Sequence, residues 1–160
     1  MKKFRQRLVW VVLWMAVIFL FSAQTSQRSK ELSGAVMEQL TIQQTDMFST
    51  EEETPEQEFL HTLIRKGAHL AEYAVLSMLV AYALWALDLP AKAKWLLPVA
   101  VASLYAVTDE VHQYFVPGRA CRLVDVGIDT CGAIFGMASF AALVWLWQKI
   151  GKRKASVTSE

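Results

Sequence analysis

Cysteine is scarce in this chain, and its two residues, Cys121 and Cys131, are too few for a disulfide framework. No cysteine pair has zinc-ligand spacing, and Cys131 lies in an apolar stretch where a free thiol behaves as a small hydrophobe. Net charge is lacking too: 16 Lys+Arg against 15 Asp+Glu leave +1, so nothing points to a polyanionic partner such as nucleic acid. Internal repeats are absent. Of the four prolines, Pro55 lies in an acidic segment, Pro90 and Pro117 stop apolar runs, and Pro98 is placed in the first turn of a third run. What the chain has in quantity is apolar residues. At 54% hydrophobic and 19% charged over 160 residues, the composition speaks against a water-soluble globule and for one small membrane domain covering 1–160.

Four runs carry the apolar residues. The first, about 8–23, follows a basic head of Lys2, Lys3, Arg5 and Arg7 and is about 24 Å long as a helix, slightly short of a hydrocarbon core of about 30 Å. Snorkelling at Arg7 and Gln24 makes up the difference. A cleaved signal peptide is the rival reading, disfavoured because Phe21 occupies the −3 position ahead of Ala23. The second run, about 67–87, holds only His69 and Glu72 as ionisable groups and ends at Leu89-Pro90. The third, about 95–115, turns polar after Thr108 and is broken by Pro117-Gly118. The fourth, about 125–148, opens on Asp125 and Asp129 and closes on Trp145 and Trp147 at the expected interfacial level.

These runs predict an all-α integral membrane protein with four transmembrane helices in a small bundle. The basic head, Lys92 and Lys94 between the second and third runs, and the 149–160 tail with Lys149, Lys152, Arg153 and Lys154 then share one side, which puts both termini in the cytoplasm. The acidic 24–66 loop falls outside, and its Thr, Gln and Glu-rich middle reads as solvated and partly disordered.

Ionisable groups at membrane depth cost a few kcal/mol on insertion scales, so each is a site hypothesis with a partner to name. Lys66, His69 and Tyr73 share a helical stripe with Glu72 beside it. Tyr105, Asp109, His112 and Gln113 form another, and Asp125 and Asp129 are an i, i+4 pair. All three clusters lie near the outer ends of their helices and are expected to converge on one shallow outward cavity, roofed by residues 116–124 with Arg119 and Arg122. Glu110 points about 100° away from Asp109 on a helix and is equally readable as a surface acid. Gly132 and Gly136 form a Gly-x-x-x-Gly that lets another backbone approach closely. The competing interpretation is an ion-pair network that neutralises itself and fixes helix register.

The run Asp109-Glu110-x-His112-Gln113-x-Phe115-x-Pro117-Gly118-Arg119, followed by Asp125, Asp129, Gly132 and Gly136, resembles the core pattern of the VanZ-like family of small multi-spanning bacterial membrane proteins. Phe21-Ser22-x-Gln24 with Ser29 resembles that family's first block, and Lys66-x-x-His69-x-x-Glu72-Tyr73 with Leu76 its second. Asp129 stands where many members carry Asn, adding a negative charge. The family is named for a component of glycopeptide-resistance clusters linked to tolerance of teicoplanin, a lipid-tailed glycopeptide. The resemblance implies a multi-pass protein of the bacterial cell membrane whose matching positions are Ser22, Gln24, Lys66, His69, Tyr73, Asp109, Glu110, Gln113, Pro117, Gly118, Arg119, Asp125, Asp129 and Gly132.

The function expected from these residues is binding of an amphiphile, such as a lipid-linked envelope precursor or a lipoglycopeptide, with Arg119 and Arg122 pairing to phosphate or carboxylate head groups. Membrane lipids are the expected partners, no cofactor or metal is assigned, and the oligomeric state is not legible. The alternative is a membrane-embedded enzyme, a metal-assisted hydrolase or a lipid head-group transferase, using His69, Glu72, Asp109, His112 and Asp129. A Ser/His/Asp hydrolase with Ser22 or Ser103 near His69 lacks a nucleophile elbow. Cys121 between Arg119 and Arg122 is a weaker nucleophile candidate.

Overall fold

The apolar runs become four helices in the computed structural model, which describes residues 1–24, 31, 32, 35, 55–117, 119 and 121–157. They are α1 (Lys2–Ser22), α2 (Pro55–Leu84), α3 (Ala91–Tyr114) and α4 (Leu123–Val157), with no strand among the described residues. Ser29, Gly118 and most of the acidic 24–66 segment lie outside the described residues.

The helices outrun the apolar stretches. α2 begins at Pro55 rather than at 67, so residues 55–66, expected in an external loop, are helical. Proline suits a first helical position, Glu56 and Glu58 sit in the first turn where carboxylates favour the helix dipole, and no further proline follows before Leu84. α4 likewise continues through the 149–157 part of the basic tail, because hydropathy limits a span but not a helix. With 30 and 35 residues, α2 and α4 are about 45 and 53 Å long and exceed a hydrocarbon core of about 30 Å. α3 starts at Ala91, after an extended Pro90, so Pro98 is buried inside the helix rather than in its first turn. The helix continues through it, with Pro98 packed among its neighbours.

Three helices, α1, α2 and α4, are long and apolar enough to cross a membrane. α3 has the length, with 24 residues, but Lys92, Lys94, Asp109 and Glu110 dilute its apolar stretch. The surface has the character of a lipid-facing one. Trp10, Leu20, Leu96, Leu104 and Phe135 are exposed, whereas Asp109, Glu110, Gln113 and Asp129 are buried.

Contacts along the helices give an up-down-up-down order. Arg7 reaches Tyr82 and Trp14 reaches Glu72, so α1 and α2 are antiparallel. Tyr73 meets Tyr105 and Trp85 meets Lys94, so α3 runs against α2. Lys66 meets Asp125 and Trp85 packs on Phe140, so α4 is parallel to α2. α2 touches all three other helices, and α1 makes no contact with α4 among the described residues. The core is built of alanines and branched aliphatic residues with Tyr73 at its polar end: Ile18, Leu76, Val80, Ala102, Ala106 and Ala133.

The tightest joint lies between α2 and α4. A Cβ on Gly132 would stand 3.0 Å from the Leu70 Cα and carbonyl carbon, and one on Gly136 would stand 2.7 Å from the same atoms of Ala74, with each carbonyl oxygen closer still. Gly127, by contrast, faces open space. Gly136→Ala is therefore expected to lower stability in detergent by about 1–3 kcal/mol. Gly127→Ala should be neutral or stabilising by up to about 1 kcal/mol through helix propensity. Unfolding of the two variants beside wild type checks this, and equal shifts would remove the glycine joint as the cause.

Candidate functional site

Opposite ends of the bundle differ in chemistry. At the end holding the start of α1, cations sit on aromatic rings: the Arg7 guanidinium 4.0 Å above Tyr82, Lys94 at 5.4 Å from Trp85 and Lys149 at 4.8 Å from Trp145. At the other end, the C-terminus of α1, the N-terminal half of α2, the C-terminus of α3 and the start of α4 bring polar side chains together. Helical spacing does this directly, since Lys66, His69 and Tyr73 recur on α2 and Asp125 and Asp129 on α4.

Lys66 Nζ pairs with Asp125 Oδ1 at 3.1 Å, linking α2 to α4. His69 Nδ1 stands 3.7 Å from Glu72 Oε2, too far for a hydrogen bond. On α3, Gln113 Nε2 donates to Asp109 Oδ2 at 2.9 Å. Arg119 Nη1 donates to Gln113 Oε1 at 3.2 Å, and its Nε donates to the Gln24 carbonyl at 3.1 Å. A relay thus runs from the buried Asp109 through an amide to a half-buried guanidinium that also holds the end of α1. Burial lowers the pKa of Arg119 from its ordinary value, as does nearby Arg65, while Asp109, Glu110 and Glu72 oppose that.

Asp109 is the centre of the set. It is 3% exposed and lies within electrostatic reach of His69, Glu72, Tyr73 and Asp129. Asp129 is 2% exposed and Tyr73 fully buried. Asp109 Oδ1, Asp129 Oδ1 and the Tyr73 hydroxyl have no hydrogen-bond partner among the described residues. Ser22, at the end of α1, is buried with its hydroxyl equally unpartnered.

Some candidates lie elsewhere than expected. Glu110 is no surface acid: it is buried, and its Oε2 accepts the Arg122 backbone N–H at 2.8 Å just ahead of α4. The Arg122 residue itself is exposed. His112 leaves the carboxylates and packs its ring on Phe19 at 4.3 Å, in the seam between α1 and α3. Cys131 is exposed on the outside of α4, and Cys121 is exposed in the connection before it. Among the described residues no three His, Cys, Asp or Glu side chains are grouped as a metal ion would need, so the metal-assisted alternative draws no support from this geometry.

Two ties escaped the sequence. The Trp14 indole donates to the Glu72 carbonyl at 2.9 Å, and the Tyr105 hydroxyl donates to the Met15 carbonyl at 2.7 Å. Trp14 sits in a run whose aromatics all look lipid-facing, and no local signal separates it from Trp10.

A family model described as VanZ/LLP1 matches residues 7–146. The chain belongs to the VanZ/LLP1 family. No curated protein and no solved structure gives a significant match. The VanZ/LLP1 match takes in every residue named at the polar end and stops within α4, ahead of the basic tail.

Arg119→Ala should release the end of α1. Exchange of the Ala23 and Gln24 amides, which close the last turn on Phe19 and Phe21, is expected to rise about tenfold or more by mass spectrometry, the worth of a lost charged hydrogen bond. Arg122→Ala, at an exposed position, should leave it unchanged. Equal protection in both variants would mean that the guanidinium does not hold α1.

Proposed function

We propose that this VanZ/LLP1 protein is a multi-pass protein of the bacterial cell membrane, that all four helices cross, and that both termini are cytoplasmic. The polar end then faces outward and binds the head group of an amphiphile, a lipid-linked envelope precursor or a lipoglycopeptide, thereby contributing to teicoplanin-type tolerance. The sidedness is supported by the positive-inside rule applied to the end that carries Arg7, Lys94 and Lys149. Crossing by α3 is supported by its length and by the inward burial of Asp109 and Glu110, which keeps both carboxylates out of lipid.

One observation carries the binding reading. A bundle with an apolar surface has gathered buried polar groups from four helices at one end and left hydrogen-bonding capacity unused on Asp109, Asp129 and Tyr73. A purely structural network tends to close its own bonds, because an unsatisfied buried group costs about 1–3 kcal/mol. Open groups beside a fork-shaped guanidinium match a head group with both donors and acceptors.

Two measurements test the two halves of the proposal. Cys121 is a native reporter of sidedness: a membrane-impermeant maleimide should label it in intact spheroplasts, with Cys131 unlabelled in the bilayer. Labelling of Cys121 only after permeabilisation would invert the topology. Native mass spectrometry of detergent-released protein should show an amphiphile adduct on wild type that is lost in Asp109→Asn and Arg119→Ala. An adduct retained equally by both variants would move binding away from this end.

A further inference from the structure

We propose that the head group taken by this site carries a primary ammonium beside a phosphate, as in an aminoethyl phosphate phospholipid, with the ammonium lodged among Asp109, Asp129 and Tyr73 and the phosphate at Arg119. The inference rests on the amphiphile reading above and narrows its chemistry.

Charge at the site is not balanced pair by pair. Lys66 is committed to Asp125. Among the described residues, neither Asp109, Glu110 nor Asp129 forms an ion pair with a lysine or arginine. Arg119 turns instead to the Gln113 side chain and the Gln24 carbonyl, both neutral acceptors. The deepest part of the site is therefore rich in carboxylates without a contacting cation, an arrangement that attracts a positive group and repels an anionic one.

The independent observation is the hydroxyl of Tyr73. It is fully buried, unpartnered, and within electrostatic reach of both Asp109 and Asp129. Of the buried oxygens that stand open at this end, Asp109 Oδ1, Asp129 Oδ1 and Tyr73 Oη are the three whose residues lie within electrostatic reach of one another. A primary ammonium presents three N–H donors, one for each, whereas a quaternary ammonium presents none. The other half of the head group follows from the same count. Of five guanidinium N–H donors on Arg119, two are used by Gln24 and Gln113, leaving donors for a phosphate in the forked geometry that arginine favours. The Asp109–Gln113–Arg119 relay sets the two charges of such a zwitterion one amide side chain apart.

The test uses the full chain in nanodiscs holding equal parts of phosphatidylethanolamine, phosphatidylcholine and phosphatidylglycerol, released into native mass spectrometry. Wild type should retain phosphatidylethanolamine over phosphatidylcholine by about tenfold or more, the scale of charge-assisted hydrogen bonds that the methylated head group cannot make. Asp129→Asn, of nearly the same shape, should bring that ratio close to one. Equal retention of the two lipids by wild type overturns the inference without needing any variant. Preference for phosphatidylglycerol also overturns it while leaving an amphiphile site at Arg119. Retention of no amphiphile at all defeats the broader proposal as well.

Discussion

Backbone contact between α2 and α4 at Gly132 and Gly136 governs the rest of the arrangement. Two carbonyls of α2, at Leu70 and Ala74, lie where side chains of α4 would otherwise stand, and a single turn of slippage would drive a Cβ into one of them. Register is thereby fixed, and with it the site. Asp125, Asp129, Gly132 and Gly136 follow one another at four, three and four residues, so they lie along one stripe of α4. Lys66, Leu70 and Ala74 do the same on α2. When Gly132 meets Leu70 and Gly136 meets Ala74, Asp125 is carried to Lys66 and Asp129 is pressed into the interior near Tyr73. Close packing and placement of carboxylates are one event.

Much of this was legible because it depends on local periodicity. The stripes on α2, α3 and α4 and the paired glycines are properties of residues three and four apart, and the structure joins them at one end of the bundle, where α2 and α4 run parallel and α3 runs against them. Helix limits were less legible. Residues 55–66 contain no breaker after Pro55, yet hydropathy alone assigns them to a loop. The burial of Glu110 was hidden for another reason. It depends on the amide of Arg122, 12 residues on, and on a chain path through the connection that no pattern within α3 encodes. His112 has the right spacing to join Asp109, but Phe19 of α1 offers its ring a stacking surface instead. Each of these cases turns on a partner from a different helix, which periodicity does not contain.

α1 is held differently from the α2–α4 joint. Among the described residues it makes no contact with α4 and few with α3, and beside it lies an apolar groove of about 520 Å³ lined by Val12, Met15, Ala16, Phe19, Leu20 and Tyr105. Its anchors are side-chain donors to backbone carbonyls spaced along its length. Arg7 reaches Tyr82, Trp14 reaches Glu72, Tyr105 reaches Met15 and Arg119 reaches Gln24. Within a bilayer the hydrophobic effect does not drive helices together, because lipid tails are as apolar as leucine, so packing and directed bonds must do it. Measured side-chain bonds between membrane helices average about 0.6 kcal/mol, and a few such ties hold a helix without welding it.

That division assigns unlike mechanical roles to the two halves of the site. Lys66, Tyr73, Asp125 and Asp129 are mounted on the rigid α2–α4 pair, whose spacing is set by backbone contact. Ser22 ends α1 and Gln24 follows just after it, and Arg119 reaches across to the Gln24 carbonyl from the connection after α3. A molecule entering from the bilayer would meet fixed carboxylates on one side and a helix end secured by one guanidinium on the other. The guanidinium that ties α1 down is also the group best suited to a phosphate, so the proposed head group and the hold on α1 would share one guanidinium through different N–H donors. A phosphate that drew this side chain away from the Gln24 carbonyl would loosen the end of α1, and one that left that bond in place would not.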